Sequence, residues 1–202
     1  GLSIQLTVAD VADDESVRDG FAEILSTAGR VDHLVNNAGV GGNGVVEETS
    51  SEDFLDVMNV NLCGATRCTQ AVLPQMRDRG SGTIVNVTSV AGRIGALAQA
   101  TYVASKWALE GVSELLAQEV AAFGIRVAII EPGVTQSSIF AKNIDLPNDT
   151  GAYEAHYRRM FQFYAAGMSG ATPAVEVGKV IEHAISTDDP KLRYPVSWAG
   201  PE

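Results

Sequence analysis

Residues 83–89 read TIVNVTS, residues 99–123 read QATYVASKWALEGVSELLAQEVAAF, and residues 126–131 read RVAIIE. The outer two are short, β-branched and nearly all apolar, which suits strands buried on both faces. The middle one is long and amphipathic, which suits a helix. A strand, a helix and a second strand in that order argue for a parallel sheet with helices on both faces, and the rest of the chain repeats the pattern. Upstream, Ile4 to Ala9 predicts a strand, Glu15 to Gly29 a helix closed by its glycine, and Val31 to Asn36 another strand. Thr49-Ser50-Ser51-Glu52 has capping-box spacing and opens a helical region running to about Arg79-Gly80. Downstream, residues 134–172 predict loop and helix, Thr172-Pro173 the cap and first turn of a helix through His183, and Leu192 to Val196 a last strand. No repeat, linker or charge block divides the chain, so residues 1–202 are expected to form one α/β domain with a doubly wound parallel sheet.

Composition narrows the function classes. The chain has 202 residues and 21.3 kDa, with 46% hydrophobic and 19% charged residues and a mean hydropathy of +0.07, a globular balance. Fourteen basic against 25 acidic residues give a net charge of −11 and a pI near 4.6. That surface repels phosphate backbones and anionic lipid heads, so neither nucleic acid nor membrane is an expected partner. No apolar run approaches the ~20 residues of a membrane span. Cys63 and Cys68 lie five apart in a helical segment and make no disulfide framework; His33, His156 and His183 have no metal-ligand spacing. With no basic-then-apolar leader at the start, the expected setting is reduced and cytoplasmic.

The chemistry concentrates in Ser89, Tyr102 and Lys106. Tyr102 and Lys106 stand four apart on a helix and therefore share a face. A free phenol titrates at about 10, and a nearby ammonium would bring it down toward neutrality. Ser89 ends a strand, where a hydroxyl can bond a substrate oxygen, so the trio can exchange a proton with an alcohol or carbonyl. A Tyr-x-x-x-Lys pair alone arises by chance roughly 0.1 times in a chain of this composition, so its context matters. No Gly-x-Ser-x-Gly elbow is present, which argues against a nucleophilic hydrolase.

That context is specific. Asn36-Asn37-Ala38-Gly39 follows a strand, Asn61 lies in NVNLCG, Ser89 precedes Tyr102 by thirteen, Lys106 completes YVASK, and Pro132-Gly133 follows RVAIIE. In this order and spacing the chain resembles the short-chain dehydrogenase/reductase family, over residues 4–137 and more loosely 172–196. The resemblance implies a Rossmann-like fold and an NAD- or NADP-dependent oxidoreductase acting on a small-molecule alcohol or carbonyl. It assigns Tyr102 as acid/base, Lys106 as its modulator and ribose ligand, Ser89 as holder of the substrate oxygen, and Asn61 as support for a water relay to Lys106. Asn37, Ala38 and Gly39 would lie along the adenosine, Asp10 and Val11 would meet the adenine, and Pro132 and Gly133 would close over the nicotinamide. Ser137 stands where the family usually has Thr, and Thr135 where it has an apolar residue, which bears on the carboxamide contacts expected there.

Further expectations follow from the residues and from the resemblance. Gly39-Val40-Gly41-Gly42-Asn43-Gly44 spells G-x-G-x-x-G, but Val45 to Glu48 separate it from the next helix, so it is read as a loop and not a phosphate cradle. The family opens with a strand, glycine-rich turn, helix and second strand; this chain starts at the third strand, so roughly 50 residues are expected to be missing. Ile4 to Ala9 would then lack its neighbour or slide across to pair with Val31 to Asn36, and dinucleotide affinity would be weak. Residues 138–171, with Tyr153, Tyr157, Met160, Phe161, Tyr164 and Met168 at helical spacing, are read as a substrate lid or as core, the former hinting at a hydrophobic substrate. The helices around 52–78 and 99–123 would serve a homodimer or homotetramer. The alternative to an enzyme is a non-catalytic binding or assembly subunit with the same fold.

Overall fold

The computed structural model describes residues 4–139 and 146–197. Four parallel strands form one sheet in chain order: β1 (His33–Asn36), β2 (Gly82–Val87), β3 (Ile125–Pro132) and β4 (Arg193–Val196). Register places Asn36 opposite Asn86, Val87 opposite Ile130, and Pro132 opposite Val196. Among the described residues six α-helices surround the sheet: α1 (Asp14–Ala28), α2 (Ser51–Met58), α3 (Ala65–Arg79), α4 (Ala100–Val120), α5 (Glu154–Ser169) and α6 (Ala174–Ser186).

Strand alternation sorts the core into two layers. Leu34, Ile84, Ile125 and Val127 point to one face, against Val17 and Phe21 of α1, Val72 and Met76 of α3, and Val120 of α4. Val85, Val87, Ala128 and Ile130 point to the other, against Val177 and Ala184 of α6. Helices on both faces make the sheet doubly wound and Rossmann-like, as the near-continuous apolar strands require. A polar ladder crosses the first layer. Asn36 Nδ2 donates to Asn86 Oδ1 at 2.8 Å and to Thr69 Oγ1 at 3.1 Å, and Asn86 Nδ2 donates to Ser113 Oγ at 2.8 Å.

Three local expectations are corrected. Ile4 to Ala9 is not a strand: it pairs with no strand among the described residues, and it has not slid to the edge of β1. A strand exists through its ladder, and without one only the Thr7–Ala9 side packs, on Gly20 of α1, leaving Ile4, Leu6 and Val8 82–94% exposed. The capping box is set one residue later than Thr49-Glu52 suggested. Ser50 Oγ accepts from Asp53 N and Asp53 returns the bond, while Thr49 Oγ1 donates back to the Val45 carbonyl at 2.7 Å. Pro173, not Thr172, is the N-cap of α6, because Thr172 is bridged to Thr135. Between α2 and α3 the helix widens into a π-helical turn at Asn59–Gly64, a kind of irregularity that often marks functional sites.

Candidate active site

The carboxyl ends of β1, β2 and β3 open into a cavity of about 610 Å³, where parallel α/β sheets usually place ligands. Asn37 and Gly39 enter from the loop after β1, Val87, Thr88 and Ser89 from the end of β2, Pro132 and Gly133 from the end of β3 with Thr135 just beyond, and Tyr102 and Lys106 from α4. Eight of the expected catalytic and cofactor-binding residues therefore share one cavity, Asn37, Gly39, Ser89, Tyr102, Lys106, Pro132, Gly133 and Thr135, and Ser137 lines it as well.

Lys106 is 5% exposed, and its ammonium donates to the Val87 carbonyl at 3.0 Å. Burial draws its pKa down from 10.5 to about 8, with Glu110, one turn along α4, pulling the other way. It remains a cation at neutral pH, 5.7 Å from the centre of the Tyr102 ring. Ser89 is buried; its Oγ accepts from Ala91 N at 3.1 Å and lies 3.4 Å from the Pro132 carbonyl. The Tyr102 phenol departs from the sequence expectation: it is held above its ordinary value, because burial outweighs the lowering contributed by its hydrogen bond with Ser89. The ammonium points at a backbone carbonyl instead, so it does not bring the resting phenol toward neutrality.

Asn61 lies behind the cavity wall, 1% exposed. Its Oδ1 accepts from Val40 N at 2.8 Å, and its Nδ2 donates to the Val40 carbonyl and to Ser105 Oγ, both at 2.9 Å. The π-turn thus turns the Asn61 amide toward the backbone of the loop after β1 and ties that loop to α4. A Cβ on Gly39 would come within 3.2 Å of Asn61 Oδ1 and 3.7 Å of Lys106 Nζ, so glycine lets this loop lie directly over both groups.

Other expected residues fall outside the cavity lining. Asp10 is exposed and caps its own turn, its Oδ1 accepting from Ala12 N at 2.9 Å. Val11 packs on Gly64, and Ala38 sits in the loop between two lining residues. Thr135, which does line the cavity, turns its hydroxyl to the Gly133 carbonyl, donating at 3.2 Å, while its backbone bridges to Thr172. Within 138–171, residues 140–145 lie outside the described residues. In the remainder, Tyr157 and Met160 are buried against Val45 and Ala98, whereas Phe161 and Met168 stay over 40% exposed. Tyr157 is pinned by hydrogen bonds to Val45 N, Glu48 and the Pro147 carbonyl, and Tyr153 bonds Glu47. The 39–44 run is a loop whose first three residues line the cavity; no α-helix starts at its last glycine.

Sequence reasoning missed the wall that α6 supplies: Ala174, Val177, Gly178 and Ile181. Their i, i+3, i+4, i+7 spacing was the available signal, since it defines one apolar stripe. Among the described residues no group of histidine, cysteine, aspartate and glutamate side chains could hold a metal ion.

The short chain dehydrogenase family model matches residues 1–146. An uncharacterized oxidoreductase of Bacillus subtilis, YusZ, is 35% identical over 199 residues, 96% of this chain and 71% of the relative. The mouse 17-beta-hydroxysteroid dehydrogenase type 1 is 37% identical over 199 residues, 95% of this chain and 57% of that protein. The crystal structure of a short-chain dehydrogenase from Streptomyces avermitilis superposes with a TM-score of 0.84 at 37% identity, over 96% of this chain and 70% of that one. With the family model spanning well over half of the sequence and the cavity at the ends of its parallel strands, this chain belongs to the short-chain dehydrogenase family of oxidoreductases.

Proposed function

We propose that this protein is an NAD- or NADP-dependent oxidoreductase that interconverts an alcohol and a ketone or aldehyde, with Tyr102 as the acid/base. The observation that carries the reading is the convergence of Ser89, Tyr102 and Lys106 on one cavity closed on its far side by Pro132-Gly133. A nicotinamide ribose fits here: a buried cation lies beneath a loop whose glycine leaves no Cβ in the way, and the cavity volume lies in the range of small-ligand sites. When bound, the cofactor supplies or accepts the hydride.

The protein's own part is proton transfer and orientation. Ser89 Oγ holds the reacting oxygen of the substrate, and the Tyr102 phenol gives that oxygen a proton in reduction or takes one in oxidation. A phenol held above its ordinary value rests protonated, ready to donate. Lys106 binds the ribose hydroxyls and stabilises the phenolate as charge develops on it. Asn61 fixes the loop after β1 and so sets the height of the cavity wall. The apolar stripe of α6 and the steroid-dehydrogenase relative both favour a bulky hydrophobic substrate. Exposed Leu55 on α2, and Trp107 and Leu115 on α4, support self-association through those helices.

The test is oxidation of NADH or NADPH, followed by nicotinamide absorbance, with estrone and a medium-chain aliphatic ketone as probes. Turnover that falls at least about 100-fold in Tyr102→Phe, with the fold intact by circular dichroism, supports the reading. A loss under about 10-fold would remove Tyr102 from the mechanism. A second reading, a non-catalytic binding or assembly subunit that holds the cofactor weakly, draws on the position of Asp10 and Val11 outside the cavity lining. It predicts weak dinucleotide binding with no oxidation of the reduced cofactor by either ketone.

A further inference from the structure

Behind Lys106 lies a group of charges, running from the buried Glu110 and Glu131 out to the exposed Arg93 and Glu114, that the mechanism above does not use. Glu110, one turn further along α4, is 5% exposed. Its Oε1 accepts from Thr88 Oγ1 at 2.6 Å, and its Oε2 accepts from Arg193 Nε of β4 at 3.1 Å. Arg193 also reaches Glu114 at 2.8 Å and Glu131 of β3 at 3.5 Å, and Glu131 accepts from Arg93 at 3.0 Å. Counting Lys106, the group holds three cations (Lys106, Arg93, Arg193) and three carboxylates (Glu110, Glu114, Glu131), equal numbers of each sign; burial and the neighbouring Glu131 raise the Glu110 carboxyl above its ordinary value, with Thr88 and Arg193 opposing them. The phenols of Tyr102 on α4 and Tyr164 on α5 also lie at this end, both raised by burial and therefore neutral near pH 7.

Geometry gives Glu110 a second link to the site. Lys106 holds the Val87 carbonyl and Glu110 holds the Thr88 hydroxyl, so adjacent turns of α4 grip adjacent residues at the end of β2, immediately before Ser89. The Thr88 backbone N–H donates to the Ile130 carbonyl at 2.8 Å, which locks the grip to β3. A Cβ on Gly92 would come within 3.0 Å of both Glu110 Cγ and the Lys106 carbonyl, so the turn after Ser89 is pressed directly onto this stretch of helix.

We propose that Glu110 is a positioning residue for the Tyr102–Lys106 pair: it fixes the strand end that presents Ser89, and it stands one turn along α4 as the counter-charge to the buried Lys106 ammonium. Burial alone disfavours that ammonium, and a carboxylate one turn away opposes the loss. Removing the negative charge leaves the group with one net positive charge, and Lys106 then loses its proton more readily. Removing Arg193 does the opposite. The inference rests on the catalytic reading for its consequence in turnover, but the Lys106 titration is measured without cofactor or substrate.

The chain has four lysines, Lys106, Lys142, Lys179 and Lys191, so selective 13Cε labelling gives four resonances, with Lys106 assigned by its absence in Lys106→Met. Glu110→Gln keeps an acceptor for Thr88 while deleting the charge. Its Lys106 midpoint is expected to fall by about one pH unit. The alkaline limb of kcat/KM falls with it, so activity drops about tenfold on that limb and under about threefold near pH 6. An unmoved midpoint in a folded Glu110→Gln protein overturns the proposal, as does an activity loss equal at all pH values. Should Glu110→Gln fail to fold, Arg193→Gln decides: an upward midpoint supports the proposal, and a fixed or lower one overturns it. Tyr102→Phe is read separately. If it stays active the catalytic reading fails on its own, while a fixed Lys106 midpoint with inactive Tyr102→Phe defeats only the role of Glu110.

Discussion

The lowered titration of Lys106 makes a measurable statement about stability. Lys106 titrates at about 8 in the folded protein and near 10.5 when exposed. Between those values the unfolded chain holds a proton that the folded chain has lost, so this residue makes stability rise with pH. The contribution is fully present above the unfolded value and disappears as pH falls through the folded one. The whole swing is about 3 kcal/mol at 1.36 kcal/mol per pH unit, and about 2 kcal/mol of it is reached by about pH 9.5. Screening takes little from this figure, because the side chain is 5% exposed. The perturbation is Lys106→Met, which keeps the apolar stem and deletes the charge. Urea unfolding of both proteins from about pH 6.5 to 9.5 reads the lysine, since groups not coupled to it cancel in the difference. Relative to the variant, the wild type should gain about 2 kcal/mol across that range. At the acidic end Lys106→Met should be the more stable, the burial of charge costing more than the single hydrogen bond to Val87 returns. Parallel stability curves would refute the reasoning, because they would mean that the ammonium is not desolvated.

Two further outcomes follow from the packing. Asn86→Ala removes the middle of the ladder from Asn36 to Ser113 and strands both partners in the core, so urea unfolding should show a loss of about 2–4 kcal/mol; under about 1 kcal/mol would mean water has replaced the ladder. Tyr157→Phe deletes the hydroxyl that joins α5 to Val45, Glu48 and Pro147, and should cost about 1–2 kcal/mol while speeding proteolysis between residues 146 and 170. Unchanged cleavage there would mean that apolar contacts of Tyr157 and Met160 alone hold the helix.

The sequence carried the sheet because its strands are buried on both faces and their apolar runs need no partner to be recognised. TIVNVTS and RVAIIE became adjacent strands, with Val85 beside Ala128. Caps slipped by a residue because Thr49, Ser50 and Ser51 are chemically equivalent as cap candidates, and only the bond back to Val45 removes Thr49 from the choice. Ile4 to Ala9 has a strand's alternation, yet alternation sets a preference and pairing decides the outcome.

For the site, the residue types and spacings by themselves determined which side chains could share a face: Tyr102 with Lys106 by helical period, Ser89 by its place at a strand end. Tertiary structure alone decided their electrostatics. Burial raises the Tyr102 phenol and lowers the Lys106 ammonium, and the carboxylate opposing that loss is Glu110, whose Arg193 partner comes from 83 residues away. The reason is physical. Spacing along one helix, which also places Glu110 one turn from Lys106, is a local property of the backbone, whereas desolvation and the partners that hold Glu110 in place depend on which distant segments pack against it.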